Sequence, residues 1–208
     1  MVQKSEARPR GRPRAYDPDK AIARAREAFW TQGYSATSLD DLSAATGMNR
    51  PSLYAAFGDK RALYLEALRR TKDGLLAGTK AALDLPGDLQ ASLNFYFARA
   101  IEAYMAGEGE ARGCFIIGTA LTEAVGDPEI KALLHEVFLG LDGLLTARLQ
   151  RAIDEGEIPA TTDAASLGYL LSAAVHGLAM RSRAGEPREA LDRWAEGAVA
   201  QVARLAKA

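Results

Sequence analysis

The chain has 208 residues, 48% hydrophobic and 25% charged, the make-up of a soluble globular protein with one large or two small domains. No apolar run approaches the roughly 20 residues needed to cross a membrane, the basic N-terminus lacks the apolar stretch of a secretory signal, and a single cysteine excludes an internal disulfide and fits a reducing cytoplasm. Net charge is −1, but residues 1–60 carry ten Lys/Arg against seven Asp/Glu and residues 61–208 sixteen against twenty, so attraction to phosphate belongs to the N-terminal end.

Residues 1–15 read as a basic arm, disordered when free, with five basic and few apolar side chains. Arg10-Gly11-Arg12-Pro13 resembles the core of an AT-hook, in which extended Arg-Gly-Arg lies in a narrow A·T-rich minor groove. A solvated tail giving only non-specific attraction is the other reading. Asp17 and Pro18 then open a first helix whose Ile22, Ala25 and Phe29 form one buried stripe, and Gly33 ends it. Trp30 and Tyr34 read as packing residues.

Ser38 and Asp41 form an [ST]-x-x-[DE] capping box, and Leu39, Leu42 and Ala45 share one face of the short helix that follows. Gly47 stops that helix, Asn49 caps the next, and Pro51 occupies its first turn, where a missing N–H costs nothing. Leu53, Ala56 and Phe57 face inward, Gly58 ends the helix and Asp59 caps another. Two short helices about a glycine-containing turn make a helix-turn-helix, which is too short to stand alone and must pack on a third helix. With Leu53 inward, Pro51 and Ala55 point out, Ser52 and Tyr54 flank them, and Arg50 stands at the N-terminal edge. A cation, a hydroxyl, a phenol and a methyl without any acid suit a major groove.

From Tyr16 to Leu68 the chain resembles the TetR family of transcriptional regulators. The likeness rests on A-x-x-x-F-x-x-x-G-Y-x-x-T-S from Ala25, on G-x-x-x-x-S-L-Y-x-x-F-G-x-K from Gly47, and on the Ala62-Leu63-Tyr64 that follows. It implies DNA contacts from Thr37, Arg50, Ser52, Tyr54 and Lys60. Thr37, Tyr54 and Lys60 would hold phosphate, while Arg50, Ser52 and the Ala55 methyl would face bases. Many members carry glycine and then an aromatic or histidine where this chain has Pro51 and Ala55, which leaves more of the reading to Arg50.

The rest predicts six more helices: 60–82, 88–106, 113–125, 128–154, 163–183 and 187–206. The stretch from Gly113 to Val125 also suits a strand by composition, but there is no second strand for it to pair with. The expected architecture is all-α, nine helices in all: a helix-turn-helix domain at 16–60 and a ligand-binding and dimerisation domain at 61–208. Tyr96, Tyr104, Cys114, Phe115, Thr119, Glu123, His135 and Phe138, with Phe97, are candidates to line an effector pocket, since apolar walls with sparse polar points suit a small molecule. The same residues describe any helical core. Cys114 follows Arg112-Gly113 at a helix start, where a thiolate would be favoured and could react with oxidants or electrophiles. Its other reading is a small buried hydrophobe. Leu170, Ala174, Leu178, Leu191, Trp194, Ala198 and Val202 on the last two helices are candidates for a four-helix dimer interface, with Trp194 as anchor or else packed in its own subunit.

Motifs of nucleophilic, phosphate-binding, dinucleotide and metalloprotease enzymes are absent from the sequence, so no catalytic role and no cofactor is expected. Cys114, Glu123 and His135 form a metal site only if the fold brings them together. The expectation is a homodimeric repressor released from a pseudo-palindromic double-stranded operator by a small-molecule effector. The alternatives are an architectural DNA-binding dimer without an effector, and a repressor that senses through its cysteine.

Overall fold

The structure, a computed structural model, describes residues 16–107 and 111–205. The basic arm, with Arg10 and Arg12, and most of the Gly107-Glu108-Gly109 loop lie outside the described residues. Within them the chain is all-α, with nine helices and no strand: α1 (Pro18–Gln32), α2 (Leu39–Thr46), α3 (Arg50–Phe57), α4 (Lys60–Leu83), α5 (Leu89–Met105), α6 (Phe115–Glu123), α7 (Pro128–Asp154), α8 (Ala164–Arg183) and α9 (Arg188–Leu205).

Most helices start where the sequence supplies an acceptor for their orphan N–H groups. Asp17, Asn49, Asp59, Asp88, Asp127 and Asp163 each cap with a side-chain oxygen. At α2 the capping box is complete. Ser38 Oγ accepts the Asp41 N–H at 3.1 Å, and the Asp41 carboxylate accepts the Ser38 N–H at 2.8 Å. Gly47 then turns the chain in the left-handed region, φ 70°.

Helix α6 is shorter than Gly113–Val125, the span its apolar run predicts. Gly113 has φ 66° and Cys114 is extended, so the helix begins at Phe115. The reason lies across the fold: a Cβ on Gly113 would sit 2.4 Å from the Ala179 carbonyl oxygen of α8. The chain enters α6 pressed against that backbone.

Helices α4 and α7 run side by side in the same direction. Arg61 pairs with Asp127 and Glu129, Arg69 with Glu129, Lys72 with Glu136, and Arg151 with Asp84. With 27 residues α7 is about 40 Å long. It therefore spans two cores. The first joins α1, α2, α3, the start of α4, α6 and the first half of α7, around Phe29, Leu42, Tyr64, Leu68, Phe115 and Ile116. The second joins the end of α4, α5, the second half of α7, α8 and α9, around Leu93, Phe97, Ile101, Leu145 and Leu149. The first core does not stop at residue 60. It takes in Leu63, Tyr64 and Leu68 of α4 and four residues of α6.

Candidate functional site

Helix α3 is held from behind by Leu53, which is buried, and by Ala56 and Phe57 at the edge of the first core. Its other side is open: Arg50, Pro51, Ser52, Tyr54 and Ala55 are all exposed. No acid lies on that face of α3 itself. The N-terminal edge, however, carries an ion pair that sequence spacing did not indicate. Arg50 donates Nε to Asp40 Oδ1 at 2.8 Å and Nη2 to Asp40 Oδ2 at 2.5 Å, across the turn from α2. The partners are ten residues apart on different helices, so no helical period signals them.

Lys60 stands at the first turn of α4. Its ammonium lies 4.6 Å from the Tyr34 ring centre and donates to the Ser35 carbonyl at 3.3 Å. An ammonium has three donors, so two remain for a phosphate. Thr37 differs from expectation. It is fully buried and its hydroxyl donates to the Gly33 carbonyl at 2.6 Å. That hydrogen is committed inside the chain, which removes the side-chain phosphate contact predicted for it. Thr37 instead fixes the approach to the Ser38 cap.

Behind the open face of α3, α6 and its flanks are tied to α1, the α1–α2 turn and α4. The Arg112 guanidinium donates to Glu27 at 2.6 Å and lies 4.4 Å over the Trp30 ring, whose Nε1 donates to the Arg112 carbonyl at 3.2 Å. Burial alone would raise the Glu27 carboxyl, but hydrogen bonds from Arg26 and Arg112 hold it below its ordinary value. Ser35 donates to Glu123 at 3.0 Å, and Tyr64 donates to Thr119 Oγ1 at 2.7 Å. Arg61 grips Asp127 through two nitrogens, at 2.5 and 2.9 Å. Trp30 and Tyr34 are packing residues, with Tyr34 4.6 Å from the Tyr64 ring.

Of the residues predicted to line one effector pocket, Tyr96 and Tyr104 come together beside Cys114, and the others are dispersed. Tyr96 and Tyr104 are buried in the second core. Phe115 and Thr119 are buried toward the first, and Thr119 Oγ1 also donates to the Phe115 carbonyl at 2.8 Å. Glu123 reaches the α1–α2 turn, and His135 is exposed on α7. Phe138 is half-buried, edge-on to His176 at 5.0 Å. Helical periodicity marks such residues as inward without saying which core they enter. The Cys114, Glu123 and His135 set is dispersed for the same reason, and no group of three His, Cys, Asp or Glu suited to a metal occurs among the described residues.

Cys114 is half-buried against both cores. Burial pushes its thiol above the ordinary value, and the N–H groups of Ile117 and Ile116 offset only part of that. The nearby guanidinium that would favour a thiolate is committed to Glu27 and Trp30. The expected activation is therefore reversed. Cys114 does line an opening of about 340 Å³ between α6 and α8, with Ile117, Gly118, Leu121, Ala179, Met180, Arg183 and Ala184.

The candidate dimer residues divide by side. Leu178, Leu191 and Val202 are buried in their own second core, which corrects their assignment to an interface. Leu170 (66% exposed) and Trp194 (55%) point outward, with Ala174 and Ala198 half-buried beside them. Tyr169 and Met180 add further exposed apolar surface on α8. Between α8 and α9 runs an open groove of about 750 Å³ floored by Ala173, Ala174, Gly177, Gly197 and Ala198, and Arg181 lies 4.5 Å over the Trp194 ring at its wall.

Comparison with known proteins matches residues 21–67 to the bacterial regulatory proteins of the tetR family and residues 95–198 to the tetracyclin repressor-like C-terminal domain. The chain is 33% identical over 183 residues to the HTH-type transcriptional repressor ComR of Escherichia coli, covering 88% of this chain and 87% of ComR. It is 32% identical over 163 residues to the HTH-type transcriptional regulator YezE of Bacillus subtilis, covering 78% and 84%. Among solved structures, a cysteine mutant of the TetR family regulator CifR, in complex with 26bp double-strand operator DNA, superposes with a TM-score of 0.80 at 31% identity, covering 91% of this chain and 98% of that one.

Proposed function

Because the chain belongs to the TetR family of bacterial transcriptional regulators, we propose that it acts as a homodimeric repressor whose two α3 helices enter successive major grooves of a pseudo-palindromic operator, and that a small-molecule effector in the C-terminal helices releases it. The observation that carries this reading is the α3 face: five side chains free of the core, at the N-terminal end of a rigidly capped helix. The operator complex of CifR, at 31% identity, supports it.

Dimerisation is supported by the apolar outer face of α8 and α9. Small residues at the groove floor let a second pair of helices approach closely, as a four-helix bundle needs. Release would work through α6. An effector can shift DNA binding only by its differential affinity for two arrangements of the dimer. A hundredfold loss of operator affinity requires about 3 kcal/mol of coupling. The opening between α6 and α8 adjoins the helix whose flanks grip Glu27, Trp30, Ser35 and Arg61, so filling it would press on those contacts. Its mostly apolar wall with a single guanidinium suits a small apolar molecule bearing an acceptor or anionic end.

The test is fluorescence anisotropy on DNA upstream of the protein's own gene, followed by a compound screen for release. Binding at nanomolar protein, competed by the same sequence but not by scrambled DNA, is the expected result. Binding that no compound weakens would favour the architectural reading.

A further inference from the structure

The arginine at the head of the recognition helix is held by one edge. A guanidinium offers five N–H groups in a rigid planar fork. Asp40 takes one from Nε and one from Nη2, at 2.8 and 2.5 Å. The adjacent edge, formed by Nη1 and the second N–H of Nη2, has no partner among the described residues. That edge has the spacing to meet O6 and N7 of a guanine at once. Arg50 is 54% exposed and Asp40 73%, so the pair stands in solvent at the N-terminal end of α3 rather than within the core. The backbone that carries Asp40 is set by the completed Ser38–Asp41 capping box, in the first turn of α2.

We propose that Asp40 is a positioning residue for base reading, holding Arg50 by its Nε edge so that its Nη edge meets a guanine in the major groove. The proposal rests on the reading of α3 as the recognition helix. An untethered arginine samples many rotamers and would settle on any phosphate within reach. A tethered one has lost that freedom before binding, so the guanine contact carries less of an ordering cost. The carboxylate also neutralises the cation at long range, which lowers attraction to DNA of any sequence. Asp40 therefore acts in two directions: it raises discrimination and lowers non-specific affinity.

The test begins with sites selected by the wild-type protein from a duplex pool with a randomised core. Each guanine is then replaced in turn by 7-deazaguanine, which lacks the N7 acceptor. Binding is measured beside a scrambled duplex for wild type, Asp40→Asn, Asp40→Ala and Arg50→Ala. One guanine per half-site should cost the wild type about tenfold when replaced and cost Arg50→Ala nothing. In both Asp40 variants that penalty should shrink about threefold or more, while affinity for the scrambled duplex rises. An equal rise on both duplexes with the penalty unchanged would make Asp40 an ordinary surface charge. A larger rise on the selected site would make the pair an inhibitory latch. Loss of all DNA binding with a lowered melting temperature in both variants would make it a folding residue. Each of these overturns the proposal. If the wild type selects no sequence, or its sensitive guanine survives Arg50→Ala, the reading of α3 fails and takes the proposal with it; the Arg50→Ala arm distinguishes that failure from the others.

Discussion

At the scale of single residues, Lys60, with two N–H donors left over from its contact with Ser35, is a clean test of a phosphate contact. Lys60→Ala should weaken operator and scrambled DNA alike, and lower the salt slope by about 0.9 per protomer, read from binding at several salt concentrations. Exposure of Arg50, Pro51, Ser52, Tyr54 and Ala55 follows from helical spacing once Leu53 is turned inward. The burial of Thr37 and the Asp40 ion pair depend on contacts across the chain, which spacing does not encode. Cys114 yields a prediction of the opposite sign from its sequence context. With the thiol pushed up by burial, little thiolate exists at neutral pH. Mild peroxide should therefore leave wild type and Cys114→Ser equally bound to DNA. Release of wild type alone, with Cys114→Ser retained, would restore the thiol-sensing alternative.

At the scale of helices, boundaries were legible wherever a cap is a local matter, because a side chain and an N–H two or three residues on see each other without the rest of the fold. α6 starts two residues after the Gly113 that its apolar run predicts, because Gly113 answers to α8, a separate helix. The join at the head of α7 carries a prediction of its own. Asp127 both caps α7 and holds Arg61 of α4. The Arg61 hydrogen bonds, aided by the N–H groups of Ile130 and Glu129, bring its carboxyl from 3.8 down to about 2. A carboxyl lowered by folding gives its stabilisation in full above the unfolded value. The contribution then drains away as pH falls through the folded one, here between about 4 and 2. Urea midpoints followed through that window should decline less steeply in Asp127→Asn than in wild type. Asp127→Ala, which also loses the cap, should lower stability at neutral pH by about 1–2 kcal/mol.

At the scale of the whole molecule, an outward apolar face on α8 and α9 and a basic arm ahead of α1 set two expectations. Trp194→Ala should cost dimerisation about 2 kcal/mol or more, seen as monomer in sedimentation at concentrations where wild type stays paired, and operator affinity should fall with it. A fully dimeric variant would place Trp194 outside the interface. Deleting residues 1–14 should lower affinity and flatten its salt dependence, since fewer counterions are released per complex. An unchanged slope would leave the arm a passive tail. The sequence pattern places a domain boundary at residue 60, where the helix-turn-helix ends and a long helix begins, although the resemblance runs on to Leu68. Burial runs otherwise. Phe29, Leu42 and Leu53 are covered from the far side by Leu63, Tyr64 and Leu68 of α4 and, through them, by Phe115 and Ile116 of α6. A fragment ending at residue 60 would leave those faces wet and should not fold, and heat should melt the protein in one calorimetric step instead of two. The N-terminal helices thus share one core with α4 and α6. To graft them onto a foreign sensor, an engineer would have to carry α6 along or rebuild the surface where α1 meets it.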